Sequence, residues 1–457
     1  MQFVKTRDLK SGMRLAKPIY NKTGILLFDR DMKITDSVIH SIESFNLIGI
    51  YILEPAEPLP PLYSEDIEFE QNQTIYMFQL RDCLEQLEKG KFSDSFMNLV
   101  AKIAHTYGNL DHLINFNQNL RSPEDFMYKH SVNTAILIAM LCHELHLTSN
   151  ERDCLLSAAL LYDYGYQKVP HYILEKGTDL TEEDRDRVQD CLEKGFEELS
   201  KCISKDELPD RAMTLIEYYI FRNSKTRPII KAGDIFIRMA SILSVAGQFD
   251  QLTAMNVNHD PLSEIMAMQI LQVSPDKYPL DVVKALADCI HIVPAGASID
   301  LSNRTKGIVL VENVDNFMKP LILRIDNNRI YDLSDPRVFA EMQIIDIMKT
   351  MDNRIAIDEN TLKLFKADKR ITETANRFRK AAERRKAAAY RATLEAESRP
   401  TPAGPRLSEI QKEEADLINP LLTSSEIVLA SDSITDPFLK SSETKAEAPK
   451  KKKRKLT

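Results

Sequence analysis

The stretch LLYDYGYQKVPHYIL at residues 160–174 lies at the centre of the part of the chain that decides the fold. Gly165 and Pro170 are turn residues that shape a loop within it. From about residue 65 to about residue 290 the apolar pattern around this loop is helical almost throughout. The spacing predicts a bundle of roughly eight or more helices.

Capping residues indicate where several of these helices begin. Ser122-Pro123-Glu124-Asp125 places Pro in a first turn and acids beside the positive end of a helix dipole. Thr148-Ser149-Asn150-Glu151 and Thr181-Glu182-Glu183 carry two further cap patterns. We therefore expect helices to begin close to these three points.

The regions on either side of residues 65–292 have different patterns. Residues 1–54 combine short strand-like runs with one amphipathic helix after Thr35, which predicts a small α/β domain. Residues 55–64 are predicted to form a proline-rich linker. Residues 293–370 are predicted to hold a small β segment, with a hairpin turn at Asp326-Asn327-Asn328, followed by a helix from about 337 to 350.

The C-terminal part of the chain is basic. Residues 371–457 carry a net charge of +5, whereas residues 1–370 carry −13. Residues 371–398 predict a basic helix whose apolar stripe is too thin to ensure packing. Residues 399–457, which end in a Lys/Arg run, are predicted to be disordered. Helix and tail could contact acidic partners or nucleic acid, although simple solvation explains the charges equally well.

Composition narrows the class of protein. The 457 residues include only 13 Gly, which favours a mainly α protein over a turn-rich β protein. The 6 Cys form no CxxC pair, so we expect reduced thiols in a cytoplasmic protein. We find neither a signal peptide pattern nor a run long and apolar enough to predict a membrane span.

Residues 128–253 resemble the HD-GYP family, bacterial metal-dependent phosphodiesterases of cyclic di-GMP. The order and spacing of six family motifs carry this resemblance: His130-Ser131, LLYDYGYQKVPHYIL at 160–174, LTEE at 180–183, CLEKG at 191–195, YYIFRNSKTRP at 218–228 and AGQFDQLT at 246–253. Residues 9–27 also resemble an accessory domain common in front of HD-GYP modules, and residues 293–325 the β segment that often follows. The resemblance implies an HD-type helical bundle.

The resemblance also implies a centre of two or three metal ions held by His and Asp side chains. His130 and Asp163 match ligand positions of the family and are the candidate metal ligands. The other ligand positions are changed: Tyr162, Cys191, Tyr218, Tyr219 and Gly247 stand there. Two ligands cannot hold a multinuclear centre, because neutral Tyr is a poor ligand and Gly has none. We therefore assign no catalytic residue and no cofactor, with a single divalent metal as the alternative.

Substrate contacts are altered as well. Tyr166 replaces the family's phosphate-contacting Lys, and the glycine-rich loop has become Asn223–Pro228. Lys168, Lys225 and Arg227 are candidate ligand-binding residues, with a solvated basic loop as the alternative. The tyrosines of the altered motifs suggest that aromatic packing has filled the former metal cavity; they are Tyr162, Tyr164, Tyr166, Tyr172, Tyr218 and Tyr219.

Three functions follow from these residues. The first is a catalytically inactive HD-GYP-like module that regulates or binds proteins in bacterial cyclic-dinucleotide signalling. The second is a residual metal-dependent phosphodiesterase or phosphohydrolase that uses His130 and Asp163, with Cys191 as a third ligand. The third is a protein that binds cyclic di-GMP without hydrolysing it. The sequence leaves the oligomeric state open.

Overall fold

The computed structural model describes residues 2–44, 49–53, 64–121, 125–174, 176, 180–204, 206–222, 233–256, 261–347 and 368–397. The predicted tail at 399–457 lies outside these residues, as do residues 55–63 of the predicted linker. The loop that contains Lys225 and Arg227 lies outside them too.

The N-terminal region is a small α/β unit, as predicted. Its elements are β1 (Gln2–Lys5), β2 (Arg14–Leu15), β3 (Ile19–Tyr20), β4 (Leu26–Phe28), α1 (Asp36–Ser44) and β5 (Gly49–Leu53). Strand β5 pairs antiparallel with both β1 and β2, and β3 pairs with β4. Leu15, Ile34, Ile42 and Ile52 form a small core of their own between this sheet and α1.

The middle of the chain is helical. Its helices are α2 (Ser64–Glu88), α3 (Ser95–Tyr107), α4 (Phe126–Glu144), α5 (Ser149–Leu161), α6 (His171–Leu174), α7 (Glu182–Cys202), α8 (Ala212–Phe221), α9 (Asp234–Thr253), α10 (Glu264–Gln272) and α11 (Leu280–Ala287). Two short strands, β6 (Leu120–Arg121) and β7 (Met255–Asn256), pair in parallel beside them.

Helix α4 is the centre of this bundle. Every residue from 130 to 142 is buried, because α2, α3, α5 and α9 surround the helix. The predicted caps at Thr148 and Thr181 are confirmed, since each forms a capping box with the residue three positions on. Residues 122–124 of the third predicted cap lie outside the described part, and α4 begins immediately after Asp125.

An antiparallel sheet follows the bundle. Its strands are β8 (Ser298–Leu301), β9 (Lys306–Val311), β10 (Leu321–Arg324), β11 (Arg329–Asp332) and β12 (Ile344–Ile347), in the order β11-β10-β9-β8-β12. The predicted hairpin turn at 326–328 connects β10 to β11, and Asn328 adopts a positive φ of 53° there.

The predicted helix from 337 to 350 is wrong for most of its length. Helix α12 (Pro336–Glu341) is short, and β12 replaces the remainder of the described part. Strand β12 pairs with β8, and the side chain of Ile344 is fully buried. This pairing joins residues about forty positions apart, so local periodicity does not reveal it.

The basic helix α13 (Lys369–Glu397) packs on the body despite its thin apolar stripe. Ile371 and Phe378 are buried against Leu310 and Leu321 of the sheet. Arg385 donates two hydrogen bonds of 2.7 Å to Asp288, and a third of 2.9 Å to Asp315. Further contacts join Arg377 to Asp332 and Lys386 to Glu144. Ion pairs therefore supplement the small apolar contact.

Candidate functional site

The candidate site lies where three helices of the bundle meet. His130 is on α4, Tyr162 and Asp163 directly follow α5, and Asp250 is on α9. Gly165 and Gly195 let the loop after Asp163 approach α7 at backbone contact. A Cβ on Gly165 would lie 2.4 Å from Leu192 Cα, and one on Gly195 would lie 2.5 Å from Gly165 Cα. These two glycines therefore fix the position of the loop.

His130 is held by a hydrogen bond at each ring nitrogen. Its Nδ1 lies 2.6 Å from Asp250 Oδ2, and its Nε2 lies 2.7 Å from the Tyr162 hydroxyl. Because the carboxylate of Asp250 only accepts, Nδ1 donates to it; in this tautomer Nε2 accepts from the Tyr162 hydroxyl. Burial raises the pKa of Tyr162 well above its ordinary value, so the hydroxyl keeps its proton.

Asp250 is completely buried and accepts several hydrogen bonds. Arg121 Nη2 donates to its Oδ1 over 2.6 Å, and both of these side chains are fully buried. Asn133 and Gln118 donate to the same oxygen over 3.0 and 3.1 Å. Burial alone would raise the pKa of Asp250, but the Arg121 guanidinium and His130 outweigh it and lower that pKa. Asp250 is therefore an anion whose charge the protein itself neutralises.

The two candidate metal ligands lie close together. Asp163 Oδ2 is 3.5 Å from His130 Nε2, and both residues are buried. Their ligand types suit a divalent metal, but the Tyr162 hydroxyl already engages His130 Nε2. Across the described residues, no group of three or more His, Cys, Asp or Glu side chains is arranged to hold a metal ion. The residues present therefore do not fit the multinuclear centre that the resemblance implies.

Tyr162 and Gly247 complement each other in size. A Cβ on Gly247 would lie 3.2 Å from the Tyr162 hydroxyl and 3.8 Å from His130 Nε2. The large phenol thus occupies the space beside the residue that has no side chain. At both positions, the metal ligand that the resemblance implies is absent.

The predicted filling of a metal cavity by the tyrosines is wrong in part, because four of them line an open cleft. Tyr162, Tyr166, Tyr218 and Tyr219 line an open cleft of about 300 Å³. Tyr164 is buried without lining this cleft, and Tyr172 is 52% exposed. We call this cleft the site cleft. It extends from His130 to Arg222. Arg222 lies 4.0 Å from the centroid of the Tyr219 ring and donates to Ser244 over 3.0 Å.

Two of the other candidate residues, Lys168 and Cys191, lie outside the site cleft. The ammonium group of Lys168 pairs with Glu198, and Lys168 does not line the cleft. Cys191 does not line it either, and its Sγ lies 3.5 Å from the Lys168 carbonyl oxygen. Burial raises the pKa of the Cys191 thiol, which disfavours the thiolate that a metal needs. Lys225 and Arg227 lie outside the described residues.

Sequence patterns did not identify the residues that hold Asp250. Arg121 lies between two short segments without clear periodicity, and Gln118 and Asn133 fit no motif. From the sequence alone, Asp250 in the AGQFDQLT motif is expected only to support packing or to form a local hydrogen bond. The only available signal was an Arg just ahead of the first motif, and a charge there is normally exposed.

A comparison with known families identifies the kind of domain that contains this site. Residues 116–281 match a family model described as HD domain. This region is an HD domain. The match includes the four site residues His130, Tyr162, Asp163 and Asp250. It indicates a superfamily of metal-dependent phosphohydrolase type. The finer assignment to HD-GYP stays a prediction, as does the accessory domain. Neither the curated proteins nor the solved structures contain a match to the chain. None of the described helices is long and apolar enough to cross a membrane.

Proposed function

We propose that this HD domain is a non-catalytic module that regulates or binds proteins in bacterial cyclic-dinucleotide signalling, in the cytoplasm. The observation that supports the loss of catalysis is the 2.7 Å hydrogen bond from Tyr162 to His130 Nε2. A metal would have to displace this buried donor, and Gly247 offers no ligand opposite it. Metal-activated water needs several such ligands to be held and polarised.

The fixed charges of the site support the same proposal. Arg121 provides the positive charge beside Asp250 and His130, so the fold does not need a cation from solution there. The domain can thus keep the HD fold while losing the reaction, and its surface remains available for recognition.

A phosphodiesterase assay tests the proposal on the full chain. We expect no turnover of cyclic di-GMP or bis(p-nitrophenyl) phosphate with Mn²⁺ or Fe²⁺ supplied. His130→Ala and Asp163→Ala should leave any background rate unchanged. Chelator-sensitive turnover that both substitutions abolish, in proteins that remain folded, would instead establish the residual hydrolase.

A second candidate function is binding of a cyclic dinucleotide without hydrolysis. It is favoured by the site cleft itself, where the guanidinium of Arg222 is stacked on Tyr219. An Arg positioned by an aromatic ring and a hydroxyl suits phosphate or a flat base. Calorimetry with cyclic di-GMP tests this function, with Arg222→Met as the variant expected to lose the heat. Lys168→Met tests the sequence-based candidate, and absence of heat at high micromolar ligand would reject the function.

A further inference from the structure

A second cleft lies where the helical bundle, the sheet and α13 meet. Its volume is about 140 Å³, and none of its lining residues lines the site cleft. Helices α10 and α11 form one side, the connection between β9 and β10 forms another, and Arg385 of α13 closes the rim. We call it the junction cleft.

The walls of the junction cleft are largely apolar, and its carboxylates are already paired. Leu280, Ile292, Phe317 and Phe339 contribute hydrocarbon surface. Of the three carboxylates in the lining, two bind Arg385 and the third binds His291 at 2.6 Å; they are Asp288, Asp315 and Glu312. A cationic ligand would compete with these internal partners. The two cations of the lining, Arg385 and Lys284, already have partners of their own and do not call for an anion. The cleft therefore favours a neutral occupant.

One buried polar atom in this lining lacks a partner. Gln269 is 7% exposed, and its Oε1 accepts no hydrogen bond from any described residue. A buried carbonyl oxygen without a donor is costly, so such atoms normally bind water or a ligand. An occupant of the cleft that contacts Gln269 should therefore carry one hydrogen-bond donor, in addition to apolar surface that packs on the walls.

We infer that the junction cleft binds a neutral molecule with one ring and one hydrogen-bond donor. The ring would lie on the apolar walls, and the donor would reach Gln269 Oε1. The size fits, because an apolar cavity of about 150 Å³ accommodates benzene. This site is independent of the proposed function of the HD domain. Because Arg385 lies at the rim, an occupant would contact both the body and α13.

Phenol and its methyl ether, anisole, form a matched pair of probes. Phenol can donate to Gln269, whereas anisole has the same ring without a donor. Titration of the full chain, with methionine methyl groups labelled for NMR, should shift the resonance of Met318, which lines the cleft. We expect phenol to bind about tenfold more tightly than anisole, a difference of one good hydrogen bond.

Two variants locate the interaction. Gln269→Met keeps the length of the side chain and removes the carbonyl, so it should abolish the preference for phenol. Gln79→Met makes the same change on α2, outside the lining of the cleft, and should retain the preference. Equal binding of phenol and anisole to the wild-type chain would overturn the inference, as would an unmoved Met318 resonance at saturating phenol. Both of these readouts use the unmodified protein, so they hold even if a variant fails to fold.

Discussion

The network around His130 and the contact of helix α13 with the body both contain an Arg–Asp pair, but the two pairs differ in burial. The side chains of Arg121 and Asp250 are fully buried, whereas that of Arg385 is 21% exposed and several α13 cations face solvent. A buried pair is costly to break, because the remaining charge loses both its partner and water. The pair of Arg385 and Asp288 is only partly buried, so it keeps some contact with water and adds to a contact that other groups also make. The first pair therefore holds the HD domain together, and the second positions one helix.

The largest effect should come from breaking the buried pair. Arg121→Met leaves the charge of Asp250 in the interior without its guanidinium partner, and we expect a loss of about 3–5 kcal/mol in the free energy of unfolding. Urea denaturation measures it, with Arg384→Met on the exposed face of α13 as the control. The double variant Arg121→Met/Asp250→Leu should recover part of the loss. If Arg121→Met and Arg384→Met cost the same, the contrast between the two regions fails.

Acid should weaken the same network. The pKa of Asp250 is lowered in the folded chain, so its contribution is present above the unfolded value of about 3.9 and is lost as the pH falls further. Asp250→Asn removes this dependence. The difference in stability between wild type and Asp250→Asn should therefore shrink progressively below about pH 4. A difference that stays constant between pH 7 and pH 3 would mean that Asp250 is not the ionised partner of Arg121.

A smaller effect should follow from removing the donor to His130. Tyr162→Phe keeps the ring but removes the 2.7 Å hydrogen bond to the buried Nε2, which should cost about 1–3 kcal/mol. Chemical denaturation measures this cost. Tyr172→Phe, at an exposed position, serves as the matched control and should change stability by less than about 0.5 kcal/mol. Equal effects of the two substitutions would show that the hydroxyl of Tyr162 is not important there.

The smallest effect should be confined to α13. Arg385→Gln removes the paired hydrogen bonds to Asp288, and we expect the helix to lose about 1–2 kcal/mol of docking free energy. Hydrogen exchange in residues 369–397 should become roughly tenfold faster while the HD domain is unaffected. Arg384→Gln, one residue away and exposed, should leave exchange unchanged. Faster exchange throughout the bundle would mean that α13 is part of the main core.

Sequence patterns correctly predicted features that are determined by residues close together along the chain. The caps at Thr148 and Thr181 appear because a capping box spans only four residues. The sequence alone could not show that His130 and Asp163 lie close together, since the two residues are far apart along the chain. The metal-ligand and ligand-binding assignments themselves stay predictions.

Contacts between distant segments could not be predicted in this way. Strand β12 is stabilised by its pairing with β8, which local sequence does not reveal. Arg121 can be buried only because Asp250, more than a hundred positions further along the chain, neutralises its charge. Helix α13 has too little apolar surface of its own, and the sheet supplies the missing partner. In each case the second half of the interaction lies far along the chain.

Metal content tests the central claim most directly. The full chain would be loaded with Mn²⁺ or Fe²⁺, freed of excess ion and analysed by mass spectrometry for bound metal. Because Tyr162 engages His130 Nε2 and Gly247 supplies no ligand, we predict far less than one ion per chain. Stoichiometric Mn or Fe that is lost on His130→Ala or Asp163→Ala would contradict the account.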